Sequence, residues 1–253
     1  MRIRPSLVSL LCVCIAATAS SILADDFQSD GVKIHYTVQG KGDPVILIHG
    51  LFSSAQLNWG LPGVIAELAR TRQVVALDCR GHGRSDKPAA AAAYGVAMVE
   101  DVVRLMDHLK IQKADVAGYL MGGMITMKLL VLHPDRVRSA VLGGMGWLQD
   151  GRALQSFWRS IAGSGPTASN AAAACMKGFA QLAVTAAQVR AIKVPFAVVI
   201  GDADPCNALY VEPLRKLRPD VPVKTIAGAG HLLCVLKPGF KAAVNESLAA
   251  PNR

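Results

Sequence analysis

Apolar and polar positions along this chain follow two alternating rhythms, and the alternation predicts a layered fold. Short continuous apolar runs, "PVILIHG" (Pro44–Gly50), "QVVALD" (Gln73–Asp78), "ADVAG" (Ala114–Gly118), "SAVLGG" (Ser139–Gly144) and "PFAVVIGDAD" (Pro195–Asp204), have the pattern of strands buried on both faces. "VKIHYTVQG" (Val32–Gly40) mixes β-branched and aromatic residues and stops at glycine, so it reads as an earlier strand, and "VKTIAGAGH" (Val223–His231) as the last. Between them "LPGVIAELAR" (Leu61–Arg70), "MVEDVVRLMDHL" (Met98–Leu109), "MITMKLLVLH" (Met124–His133), "LYVEPLRKL" (Leu209–Leu217) and "FKAAVNESLA" (Phe240–Ala249) read as helices. Strands alternating with amphipathic helices imply an α/β fold with a mostly parallel sheet and helices on both faces. The rhythm breaks from 147 to 193, where "GSGPTASNAAAAC" (Gly163–Cys175) is small, polar and turn-prone between two short helices. A small inserted lid is expected there, dividing a core of residues 25–146 and 194–253.

Composition narrows the class. The 253 residues are 52% hydrophobic and 18% charged, which suits one globular domain and excludes a disordered or repeat protein. Arg2 and Arg4 precede an apolar run of signal-peptide length and small residues ending at Ala19 or Ala24. Residues 1–24 are therefore expected to be a cleaved export signal, placing the mature protein in the periplasm or outside the cell. The run is shorter than the ~20 apolar residues of a membrane span, so no stable span is expected.

The formal charge is +9, but the basic residues are scattered and no Arg/Lys run is interleaved with aromatics. Nucleic acid is not expected as a partner. Cys12 and Cys14 would leave with the signal; Cys79, Cys175, Cys206 and Cys234 remain, with no CxxC pair. Neither metal nor cofactor is implied. Export permits a disulfide, and Cys206 with Cys234 is the pair to test, two free core thiols being the alternative.

In open α/β sheets ligands bind outside the carboxyl ends of the strands. Four such ends carry candidate chemistry: "HGLFSS" at His49, "GYLMGG" at Gly118, "GDADPCN" at Gly201 and "GAGHLLC" around His231. The second has the glycine frame of a nucleophile elbow, G-x-S-x-G, with Leu120 where the serine would stand. In this order, and with "LDCRGHGRSDKP" (Leu77–Pro88), the chain resembles the α/β-hydrolase superfamily from about Phe27 onward. It looks most similar to the small esterase, lipase and haloperoxidase-type members.

That resemblance implies a hydrolase of small-molecule acyl compounds, with His231 as base and Asp204 as the acid that orients it; Asp202 is the rival acid. It implies an oxyanion hole from the backbone N–H groups of Met121 and Leu51, or Phe52 in place of Leu51. Phe52 and Trp147 are candidate substrate contacts, although Trp147, Phe157 and Trp158 could equally pack the lid. Ser53 and Ser54 read as loop-shaping or substrate-facing, His82 and Asp86 as organisers of a turn, His133 as a helix terminus and His108 as an exposed helical residue. Leucine has no lone pair and no ionisable proton, so serine-hydrolase turnover is not expected. A non-catalytic ligand- or partner-binding protein, acid–base chemistry by His231 and Asp204, or a nucleophilic Cys206 or Cys234 stay open as alternatives, and oligomeric state is not legible.

Overall fold

Val45, Ile46, Leu47 and Ile48 are all fully buried, and successive side chains go to opposite layers. Ile46 and Ile48 join one apolar cluster with Val75, Val116, Leu142 and Val198. Val45 and Leu47 join another with Val74, Ala117, Val141 and Val199. A strand with period two and apolar residues at every position must be covered on both faces. This is why the sheet sits between two helical layers.

The computed structural model describes residues 22–150 and 170–249. The strands are β1 (Leu23–Ser29), β2 (Val32–Gln39), β3 (Asp43–Ile48), β4 (Arg72–Leu77), β5 (Ala114–Tyr119), β6 (Val137–Gly143), β7 (Phe196–Gly201) and β8 (Val223–Ile226). They lie in the order β1-β2-β4-β3-β5-β6-β7-β8. β1 and β2 pair antiparallel, as do β2 and β4; every other pairing is parallel. The described helices are α1 (Val64–Leu68), α2 (Val96–His108), α3 (Met121–Leu132), α4 (Asn170–Gly178), α5 (Ala186–Ala191), α6 (Glu212–Leu217) and α7 (Pro238–Ala249). Buried residues of α2 and α3 fill the first cluster, and those of α1 and α7 the second. Among the described residues no helix is long and apolar enough to cross a membrane.

The elements differ from expectation in four places. β1 is an additional strand, joined to β2 by a two-residue turn in which Asp30 and Gly31 both have positive φ (51° and 74°). The anticipated signal boundary at Ala24 falls inside it. β8 ends at Ile226, because residues 227–231 form the loop that carries His231. α3 begins at Met121 instead of Met124, and the helix expected over 209–217 opens as a π-helical turn from Asn207 to Val211 before α6. The region expected as a lid falls partly outside the described residues, including Phe157 and Trp158. Its described part carries α4 and α5 and buries Cys175, Phe179, Leu182 and Val189 in the first cluster. Residues 1–21, most of the expected signal, also lie outside the described residues.

Candidate active site

The turn from β5 into α3 is built by close approach. Cβ atoms added to Gly118 and Gly122 would stand 2.0 Å from the Gly122 carbonyl oxygen and 2.1 Å from that of Ile48. Only glycine lets strand and helix meet this tightly. At the apex Leu120 has φ 53° and ψ −110°, its N–H donates to Gly143 O (2.8 Å), and its carbonyl accepts from Met124 N–H (3.1 Å). A non-glycine residue at such angles costs about 1–3 kcal/mol. The leucine side chain is 6% exposed and packs in the second cluster with Tyr119 and Trp59.

Leu120 also lines a cavity of about 370 Å³, together with Leu51, Phe52, Ser53, Leu57, Leu232 and Leu236. Phe52 stands 51% exposed at this cavity, with φ 59°. Trp147 is placed differently. Its indole N–H donates to Val184 O (2.8 Å) and its ring packs half-buried on the main core.

Asp204 follows β7 and His231 follows β8. His231 Nδ1 lies 2.8 Å from Asp204 Oδ1, and both residues are under 10% exposed. An ionised carboxylate accepts, so Nδ1 carries the proton and Nε2 is the basic nitrogen. Asp204 Oδ1 also accepts from Cys206 N–H (2.8 Å). Tyr119 O–H donates to His231 O (2.6 Å), tying the end of β5 to the histidine loop. The rival acid is engaged elsewhere. Asp202 accepts from Gly228 N–H (3.0 Å) and Ala229 N–H (3.1 Å), which hold its carboxyl below the usual range. It shapes the loop; Asp204 meets the ring.

Behind the loop of Leu51 stands a polar layer whose function the sequence did not disclose. Asn58 Oδ1 accepts from Gly50 N–H (2.7 Å), and Asp78 bridges Ala55 N–H and Arg84 N–H (2.8 Å each). His49 donates from Nδ1 to Gly50 O (2.7 Å) and accepts at Nε2 from Cys79 N–H (2.9 Å), stapling the end of β3 to that of β4. His82 packs edge-on against it, ring centroids 5.3 Å apart. Asp86 accepts from Lys33 N–H (3.0 Å) and Ser54 Oγ from Leu57 N–H (3.2 Å), so both shape loops; Ser53 lines the cavity. His133 lies at the end of α3 beside Glu100 (2.9 Å), and His108 is exposed, stacked on Phe27.

All four described cysteines are free and buried, so Cys206 and Cys234 form no disulfide. Burial, then the nearby Asp204, push the Cys234 thiol up to about 12 and raise Cys206 as well. The thiolate is the nucleophilic form. Burial and raised thiols weigh against either cysteine as a stand-in nucleophile.

His49 makes stability depend on pH. Burial, then His82, push its pKa down to about 4, whereas in the unfolded chain an imidazole titrates near ~6.5. Between those values the native state binds fewer protons than the unfolded one. The contribution is therefore complete above about pH 6.5 and lost as pH falls toward 4, by ~3 kcal/mol. Burial lowers His82 too, adding to the loss in the same direction. Urea midpoints followed down this range should drop, and His49→Gln should flatten the drop; an unchanged slope in the variant would assign the titration elsewhere.

Residues 43–166 match the family model described as the α/β-hydrolase fold. The chain is 39% identical over 116 residues to the 2-hydroxymuconate semialdehyde hydrolase of Pseudomonas sp. strain CF600, a match covering 45% of this chain and 40% of that protein. It thus spans about two fifths of the length of such curated relatives. Among solved structures, the 2-hydroxy-6-oxo-6-phenylhexa-2,4-dienoate hydrolase from Rhodococcus sp. strain RHA1 superposes with a TM-score of 0.74 at 20% identity, over 91% of this chain and all of that one. The enol-lactonase from Burkholderia xenovorans LB400 gives 0.71 at 20% identity, over 89% of this chain and all of the other. With its eight-stranded sheet, its glycine-framed elbow and these likenesses, the chain is an α/β-hydrolase-fold protein.

Proposed function

We propose that this chain is a scaffold for hydrolysis of carboxylic esters or similar acyl compounds, and that Leu120 blocks its covalent step. The observation that carries this reading is the Asp204–His231 hydrogen bond at 2.8 Å, kept at the same sheet edge as an elbow whose apex residue is apolar. In this reading Asp204 fixes the tautomer of His231, Nε2 serves as base, and the Leu51 and Met121 amides hold the oxyanion. Backbone donors survive any side-chain change. The nucleophile does not: an isobutyl group offers no electron pair, and Leu120 fills space beside the cavity that a carbonyl carbon would need. The related hydrolases support a small-molecule acyl substrate. Export through residues 1–24 is part of the proposal.

The test is direct. The purified protein is offered short p-nitrophenyl esters and, separately, a fluorophosphonate probe. Turnover near the uncatalysed background and no phosphonylation are expected. Ester hydrolysis by the parent chain that His231→Ala abolishes would overturn this account of Leu120.

A further inference from the structure

We propose that Asp204, Cys206 and His231 together form a binding site for a thiophilic divalent cation of the zinc class. No metal motif is visible in the sequence, because Cys206 is two residues from Asp204 and His231 is 27 residues from it. The fold closes that gap. A carboxylate oxygen of Asp204, Sγ of Cys206 and a ring nitrogen of His231 all lie within 4.8 Å of one another, and Nδ1 is the His231 nitrogen that stands 2.8 Å from Asp204 Oδ1. The three residues are 3%, 1% and 8% exposed.

Asp204 supplies a second, independent sign. Its Oδ1 is engaged by His231 and by the Cys206 N–H, but Oδ2, equally buried, has no hydrogen-bond partner among the described residues. A buried carboxylate oxygen without a donor is costly, and a cation satisfies it.

The donor set selects the ion. One imidazole, one carboxylate and one thiolate make a three-ligand site that leaves a fourth tetrahedral position. Calcium and magnesium take all-oxygen shells, so the thiol and imidazole disfavour them. Charge also closes. Binding displaces the Cys206 thiol proton to solvent, so thiolate and carboxylate together carry two negative charges against the two positive charges of the cation. The buried site is then neutral overall, which burial requires.

Coordination at Nδ1 has a further consequence. The imidazole stays neutral but its proton must move from Nδ1 to Nε2, so Nε2 becomes a donor and loses the lone pair a general base needs. The cation would therefore switch the dyad off. That consequence rests on the acyl-hydrolase reading, whereas the site itself rests only on the geometry of three side chains, so either can fail alone.

Metal-stripped full-length protein is titrated with cobalt(II). A thiolate-to-cobalt charge-transfer absorption should appear, saturate at one equivalent and vanish when zinc is added. Cys206→Ser should lose it, while Cys234→Ser and Cys79→Ser keep it. Absence of the band, or its persistence in folded Cys206→Ser, would overturn the proposal. Should Cys206→Ser not fold, nitrogen-15 spectra of the parent chain decide: one equivalent of zinc should move the His231 proton from Nδ1 to Nε2. An unmoved tautomer at full zinc occupancy rejects the site and leaves surface binding only.

Discussion

Leu120→Ser is expected to raise ester hydrolysis at least ~10³-fold over the parent chain, since in a well-studied serine protease loss of the nucleophile costs on the order of 10⁶ in kcat. In the proposed reading the other parts of such a site rest on three observations. His231 is oriented by Asp204 at 2.8 Å, the histidine loop is fixed by Tyr119 O–H, and Gly118 and Gly122 hold the elbow. Serine keeps the backbone position and replaces an isobutyl group with a hydroxyl at the floor of the cavity. The strained φ of 53° is no worse for serine than for leucine, so the fold should change little. Catalytic groups act as a unit, which sets the control: Leu120→Ser with His231→Ala should fall back to the parent rate. Phosphonylation should follow the same pattern. A folded Leu120→Ser protein no more active than its parent on a broad acyl panel would show that the remaining apparatus has decayed.

The parts of this site that the sequence discloses are those set by local pattern. An apolar strand that stops at glycine and small polar residues marks a strand end, and the order elbow, acid, histidine, read through the resemblance, points to Leu120, His231 and the loop of Asp202 and Asp204. Asp202 and Asp204 could not be separated this way. They share one loop, and what divides them is which carboxylate faces the β8 loop backbone and which the ring. The supporting layer is set by tertiary distance: Asn58 reaches back eight residues to Gly50, Asp78 reaches 23 to Ala55, and His49 reaches 30 to Cys79. No periodicity encodes such contacts. β1 escaped for another reason. Only Phe27 and Ser29 of its seven residues are buried, so the strand lacks an apolar alternation. Its one local signal was Asp30-Gly31, a dipeptide suited to a two-residue hairpin. Trp147 is the converse case, an aromatic near the expected lid whose polar end is used for packing.

The largest loss of stability is expected on breaking the buried pair of Arg80 and Asp101, whose side chains are 3% and 1% exposed. Arg80 follows β4 and Asp101 lies in α2. The guanidinium donates from Nε to Oδ2 (2.7 Å) and from Nη2 to Oδ1 (2.6 Å), while Nη1 donates to Ala93 O (2.7 Å). Ser29, at the end of β1, donates its hydroxyl to the same carboxylate. Three elements therefore converge on one charge pair, and the loop it anchors also holds Asp78 and His82 behind the site. Asp101→Ala leaves a guanidinium in a place water does not reach, and should cost ~3–5 kcal/mol in urea unfolding. The cost comes from the stranded charge more than from the lost attraction. Arg80→Met with Asp101→Leu, which strands nothing, should therefore recover most of it. Asp107→Ala, on the same helix but in a pair whose carboxylate is 62% exposed, should cost no more than ~1 kcal/mol. If Asp101→Ala were as mild as Asp107→Ala, water must reach Arg80 in the native state, and the pair would not be the clamp that holds β1, α2 and the loop after β4 together.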